Sequence, residues 1–133
     1  ITHGSKVLEL GAGMGENTEP LLNKNCDLYL LDISQISLIV AKRRWGNQIK
    51  VVLANIEELP FSENYFDFVV GAGCLSYGDS KRVDQEISRV LKPGGSLILV
   101  DSLNHNPIYV FNRIRNNFES EFICKNVCRT ILE

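Results

Sequence analysis

Val7-Leu8-Glu9-Leu10-Gly11-Ala12-Gly13-Met14-Gly15-Glu16-Asn17 is the stretch from which the fold of the whole chain reads. Four residues suited to a buried strand, Val7 to Leu10, run into three glycines spaced two apart, and Thr18 to Lys24 beyond them can be helical. A chain that turns sharply from strand to helix needs residues without a Cβ. The turn uses unusual φ/ψ values, and a ligand there approaches the backbone closely. This is the layout of a nucleotide-type site at the carboxyl edge of a parallel sheet.

The glycine spacing narrows the ligand. A dinucleotide fingerprint, G-x-G-x-x-G, needs its third glycine where this chain has Glu16. The third glycine is instead Gly15, so the motif reads E-x-G-x-G-x-G from Glu9. Glu16 and Glu19 flank the expected helix start, where a pyrophosphate would rest on the positive end of the helix dipole, and two carboxylates would repel it. A ligand with an ammonium, one carboxylate and no phosphate fits better.

Working outward, Asp27 to Leu31 reads as a second strand with Asp32 at its carboxyl end. Ser34 is a good N-cap for a helix to about Trp45, with Ile36, Ile39 and Val40 sharing its apolar face and Gly46-Asn47 stopping it. Ile49 to Leu53 is β-branched and strand-like, Asn55 to Asn64 is loop or short helix, and Phe66 to Ala72 is apolar enough for burial on both faces. Ser80 to Leu91 is amphipathic, with Val83, Ile87, Val90 and Leu91 inward. Lys92-Pro93-Gly94-Gly95 closes that helix before a fifth strand, Leu97 to Val100. Asn106-Pro107 opens a further helix through about Phe118, and Glu121 to Cys124 can add part of a sixth strand. Strands alternating with helices predict one α/β domain over residues 1–133, a three-layer sandwich on a mainly parallel sheet. Right-handed crossovers with a switch point at strand one give the order 3-2-1-4-5.

Composition excludes several classes. With 133 residues, 44% hydrophobic and 23% charged, the chain has the make-up of an ordinary globular domain. A net charge of -2 gives no electrostatic reason to expect nucleic acid or a membrane surface. The apolar runs are strand-length, short of the roughly 20 residues of a membrane helix. Four cysteines, Cys26, Cys74, Cys124 and Cys128, lack the density of a disulfide scaffold, so a reducing, cytoplasmic setting is expected. Cys124 and Cys128 lie one helical turn apart without two further ligands nearby, so no metal site is expected.

Asp32 lies 17 residues past Gly15, at the tip of the strand expected beside strand one. A carboxylate there can accept from both ribose hydroxyls, which supports an adenosine ligand, NAD among them, without choosing between such ligands. Gly71-Ala72-Gly73-Cys74-Leu75-Ser76-Tyr77 ends strand four at the same edge, where Cys74, Ser76 and Tyr77 are candidates to line an acceptor site. His105, just after strand five, is placed either as a general base for an acceptor hydroxyl or as an exposed loop residue beside a helix cap.

The glycine stretch resembles motif I of class I S-adenosylmethionine-dependent methyltransferases. Val51-Val52-Leu53-Ala54-Asn55-Ile56-Glu57-Glu58-Leu59-Pro60-Phe61, followed by Tyr65-Phe66-Asp67-Phe68-Val69-Val70, is similar to the GDAxxLPF…FDxV block of the ubiquinone-biosynthesis-like, or type 11, members. Arg89 to Asp101 is similar to their RVLKPGGxLxxxD segment. The resemblance implies S-adenosyl-L-methionine as cofactor and S-adenosyl-L-homocysteine as product. Glu9 and the Gly11, Ala12, Gly13 and Gly15 backbone would orient the methionine end, with Gly71 and Ala72 approaching it. Asp32, with Ile33 beside it, would take the ribose, and Asn55 and Ile56 the adenine. Asn55 replaces the family's aspartate, and its amide oxygen can still accept from an amine.

A methyltransferase of this kind would hold donor and small-molecule acceptor in line at about 3 Å, with no catalytic triad required. No aromatic-flanked N/D-P-P-Y segment follows strand four, which argues against an amino-methylating nucleic-acid enzyme. Family members carry helices before strand one and a final antiparallel strand pair, whereas about six residues precede strand one here. The expectation is therefore a core without its lid: a fragment, a homodimer, or a domain whose cleft a partner covers. Alternatives from other classes are a non-catalytic, partner-completed cofactor-binding module and an NAD-dependent oxidoreductase.

Overall fold

A computed structural model describes residues 1–74 and 78–100. Ser76, Tyr77, Asp101, His105, the expected helix to Phe118, the partial sixth strand, Cys124 and Cys128 lie outside the described residues. In chain order the elements are β1 (Lys6–Leu10), α1 (Glu19–Leu22), β2 (Asp27–Asp32), α2 (Gln35–Trp45), a 3-10 turn (Gly46–Gln48), β3 (Ile49–Leu53), β4 (Phe66–Ala72), α3 (Ser80–Val90) and β5 (Leu91–Val100). The strands form one parallel sheet in the order β3-β2-β1-β4-β5, as the alternation of strands and helices predicts. Leu10 pairs with Leu31 and with Gly71, so the carboxyl ends of the three central strands finish level.

Period-two alternation sorts the strand side chains to two faces. Val7, Leu28, Leu30 and Ile49 pack with Leu38, Ala41, Leu21 and Leu22 of α2 and α1. Leu8, Leu10, Leu31 and Val69 pack with Val83, Ile87 and Val90 of α3. These are the three layers. No helix joins β3 to β4; turns over residues 54–65 take its place, and Phe61 packs edge-on against Tyr29 and Phe66.

Three details differ from the sequence expectation. Ser34 caps α2 as expected, its hydroxyl accepting from Ser37 N at 3.3 Å, but the helix turns its other stripe inward. Leu38, Ala41 and Trp45 face the sheet, while Ile36 and Ile39 are 77% and 44% exposed and Val40 is exposed with them. Both stripes have helical spacing on opposite sides of the helix. Tertiary contact decides between them: the Trp45 indole N–H donates to Gly15 O at 3.3 Å and pins the carboxyl end of α2.

Helix α1 is shorter than expected at both ends: Thr18 is its N-cap residue, without a side-chain cap bond, and Asn23 is its C-cap, with Asn25 at φ +51° turning the chain out of the helix. Strand β5 starts at Leu91, and Pro93-Gly94-Gly95 bulges within it instead of linking helix to strand. Phe66 pairs with Leu91 and Phe68 with Ser96, so two steps on β4 oppose five on β5. A proline without an N–H is tolerated at a bulge, and Gly94 adopts φ +77° there.

The orientation of α2 gives a direct prediction. Ile36→Ser should change stability by less than about 0.5 kcal/mol, whereas Leu38→Ala should cost about 2–5 kcal/mol. Urea unfolding of the two variants checks the assignment; equal losses would contradict it.

Candidate functional site

The glycine loop leaves β1 at Leu10 and is held on three sides. Ala12 N donates to Leu31 O at 3.1 Å, which extends the strand pairing by one bond. Gly15 N donates to Ala12 O at 2.9 Å and closes a tight turn. Gly13 N donates to Asp32 Oδ2 at 2.8 Å, and the other oxygen, Oδ1, accepts from Ser34 N at 2.8 Å. Gly11, Gly13 and Gly15 all lie at positive φ, between +54° and +79°. At Gly15 space matters as much as φ, since an added Cβ would sit 2.7 Å from Trp45 Nε1. Gly13 is different: within 4 Å a Cβ would meet only the Glu16 carboxylate, at 3.2 Å. This is the open side of the loop, where a ligand can reach the backbone.

Glu16 folds back over that side, its Oε2 accepting from Met14 N at 3.1 Å. An anionic side chain already over the loop amides is a poor neighbour for a phosphate, which needs such amides for itself. Glu9 is 5% exposed at the end of β1, and its Oε2 accepts the Thr18 hydroxyl at 2.8 Å. Burial pushes the Glu9 carboxyl up to about 6; the Thr18 hydrogen bond opposes this, and the nearby charge of Glu16 adds to it. Among the described residues no cation pairs with Glu9. A buried carboxylate with one neutral donor, a second carboxylate beside it and an open loop favour a cationic ligand.

The structure brings most of the other expected residues to the same edge. Asp32 ends β2 and exposed Ile33 follows it, and Ala54 N donates to Asp32 O at 3.1 Å, which sets Asn55 and Ile56 beside them. The Asn55 side chain is partly committed, its Oδ1 accepting from Glu57 N at 3.0 Å in a local turn. Gly71 is at the expected edge, but its side-chain space is filled: a Cβ would lie 2.9 Å from Cys74 Sγ and 3.3 Å from Leu99 Cδ2. Cys74 is buried against Gly11 and Gly71, which places it in the packing behind the loop; the open backbone at the end of β4 is Ala72 and Gly73. Sequence reasoning missed Thr18 and Trp45. Nothing in their spacing ties Thr18 to Glu9, or Trp45 to a glycine 30 residues earlier.

This donor set fits S-adenosylmethionine. Carboxylates would meet its cationic end, the carboxylate oxygens of Asp32 would each keep a lone pair for a ribose hydroxyl, and no phosphate subsite is built among the described residues. Among the described residues no group of three His, Cys, Asp or Glu could hold a metal, and no helix is long and apolar enough to cross a membrane.

The methyltransferase domain family model matches residues 8–99, and the chain belongs to that family. It is 35% identical over 99 residues to the demethylmenaquinone methyltransferase of Renibacterium salmoninarum, covering 74% of this chain and 41% of that protein. It is 34% identical over 118 residues to the ubiquinone/menaquinone biosynthesis C-methyltransferase UbiE of Hahella chejuensis, covering 81% and 47%. The chain thus spans less than half the length of these relatives. Among solved structures, it superposes with a TM-score of 0.83 and 23% identity on a chain from the complex of the Haloferax volcanii Trm112 methyltransferase activator with a methyltransferase, covering 90% of this chain and 55% of that one. It superposes at 0.74 and 20% identity on Haemonchus contortus phosphoethanolamine N-methyltransferase 2 in complex with S-adenosyl-L-methionine, covering 89% and 30%.

The Glu9 carboxyl gives a pH prediction. Folding raises its pKa from 4.5 to about 6, so its burial cost is fully present above pH 6 and is relieved as pH falls through 6 towards 4.5. Glu9→Gln should therefore stabilise the protein by about 1–2 kcal/mol at neutral pH. That gain should fade by pH 4.5, and S-adenosylhomocysteine binding should weaken at the same time. Thermal unfolding across pH checks the first part, and calorimetry the second.

Proposed function

We propose that the protein carrying this chain transfers a methyl group from S-adenosylmethionine to a carbon of a small aromatic acceptor of the quinol class, by direct in-line displacement. The observation that carries the cofactor end is the buried Glu9 carboxylate, with no cation paired to it among the described residues, beside a glycine loop open at Gly13 and tied to Asp32. The acceptor class rests on the names of the relatives, a demethylmenaquinone methyltransferase and a ubiquinone/menaquinone C-methyltransferase. That both are enzymes also speaks against the non-catalytic module.

When bound, S-adenosylmethionine supplies an electrophilic methyl on a sulfonium. Glu9 and the backbone of Gly11, Ala12, Gly13 and Gly15 hold its methionine end. Asp32 takes the ribose hydroxyls, with Ile33 alongside, and Asn55 and the Ile56 amide take the adenine. Ala72 flanks the methionine moiety from the end of β4, and Gly71 supports that edge by admitting Cys74. Holding both reactants in line is the main contribution asked of the protein. His105 is the proposed base. It would take the acceptor hydroxyl proton so that the ring carbon of the resulting phenolate accepts the methyl. The proton on that carbon would then leave, restoring the aromatic ring and the hydroxyl. A homodimer or a partner over the cofactor cleft is part of this reading, and the match to a chain from an activator complex is its support.

The test is incubation with S-adenosylmethionine and a reduced demethylated naphthoquinol, with products read by mass spectrometry and NMR. A C-methylated product and equimolar S-adenosylhomocysteine are expected. O-methylation, or no transfer, would contradict the acceptor assignment. His105→Ala should lower kcat about a hundredfold if His105 is the base; an unchanged rate would make it a loop residue.

A further inference from the structure

The connection between β3 and β4, residues 54–65, has no helix or strand of its own, yet it carries Asn55 and Ile56. A segment of this length without internal secondary structure needs outside partners for its backbone groups. Nearly all of them come from α3. Leu59 N donates to Glu86 Oε2 at 2.6 Å. Arg89 donates through Nη2 to Leu59 O at 2.9 Å and through Nη1 to Phe61 O at 2.6 Å. Arg89 is itself fixed by Glu86, with Nε on Oε1 and Nη2 on Oε2, both at 2.7 Å. At the other end of α3, Asp79 N donates to Glu57 Oε1 at 2.8 Å. Asn55 lies between the Ala54 N bond to Asp32 O, at 3.1 Å, and these α3 anchors, and among the described residues its turn is closed by Glu57 N to Asn55 Oδ1 and Glu58 N to Asn55 O.

We propose that Arg89 and Glu86 are positioning residues for the nucleobase end of the cofactor site. Their fork on Leu59 and Phe61 sets where Asn55 and Ile56 present a hydrogen-bonding edge to adenine. The inference rests on the reading that Asn55 and Ile56 take the adenine. A planar guanidinium is required, because three separate acceptors, Glu86, Leu59 O and Phe61 O, lie in its fork; an ammonium on a flexible stem cannot reproduce that geometry. Glu86 is held well ionised by Arg89, so the pair acts as one unit.

The experiment compares binding of S-adenosylhomocysteine with its inosyl counterpart, in which a carbonyl replaces the adenine amino group, by calorimetry on the full chain. Arg89→Lys and Glu86→Gln are measured with Asn55→Ala as reference. The wild type should prefer the adenosyl ligand, and Asn55→Ala should remove that preference. Arg89→Lys should lose roughly tenfold in adenosyl affinity, as expected for a misplaced contact. It should lose far less for the inosyl ligand. Glu86→Gln should act in the same direction and serves if Arg89→Lys fails to fold. A folded variant of either kind with reduced thermal stability but wild-type affinity and preference would overturn the positioning role. A wild type without preference, or a harmless Asn55→Ala, would overturn the adenine assignment beneath it.

Discussion

Two hydrogen bonds to one carboxylate hold the site together. Asp32 takes Gly13 N on one oxygen and Ser34 N on the other, so a single side chain at the tip of β2 fixes the glycine loop after β1 and the first turn of α2. Both are charge-assisted bonds to amides that otherwise have no partner in the strand ladder. The rest of the edge follows: Trp45 seats the far end of α2 against Gly15, and Asp32 O receives Ala54 N, which brings the β3 loop alongside. Asp32 is thus a fastener of the loop as well as a candidate ligand for ribose, and these two duties use different lone pairs.

Burial of Glu9 runs against stability. A carboxylate in the interior with a single hydroxyl donor is less stable than a neutral isostere, and that cost makes structural sense only if something cationic sits nearby part of the time. Glu16 sharpens the preference by covering the loop amides that a phosphate would need. Charge and shape therefore select against dinucleotides at the same loop whose glycines, read alone, are compatible with them.

Much of this was legible in the sequence where the signal is local. The run Val7–Leu10 into three glycines, the β-branched Ile49–Leu53 and the apolar Phe66–Ala72 specify strands by composition, and helix alternation specifies their order. Ser34 and Gly46 bound α2 correctly for the same reason. What failed depends on distance. Ile36, Ile39 and Val40 have the same helical spacing as Leu38, Ala41 and Trp45, and only the contact of Trp45 with Gly15 tells the faces apart. The Thr18–Glu9 bond crosses a turn, and Arg89 reaches back 28 and 30 residues to Phe61 and Leu59; no periodicity encodes such pairs. Gly71 suggests clearance for a ligand, yet a missing Cβ looks the same in sequence whether a ligand or Cys74 fills the space.

The measurement that tests the central claim most directly is calorimetric titration of the full chain with S-adenosylhomocysteine and, separately, with NADH. Micromolar binding of the first and none of the second is the expected result, since an Asp32 carboxylate could serve either ribose but Glu16 and the Gly15 spacing leave no place for a pyrophosphate. Binding of NADH at comparable strength, or a folded chain that binds neither ligand, would contradict it.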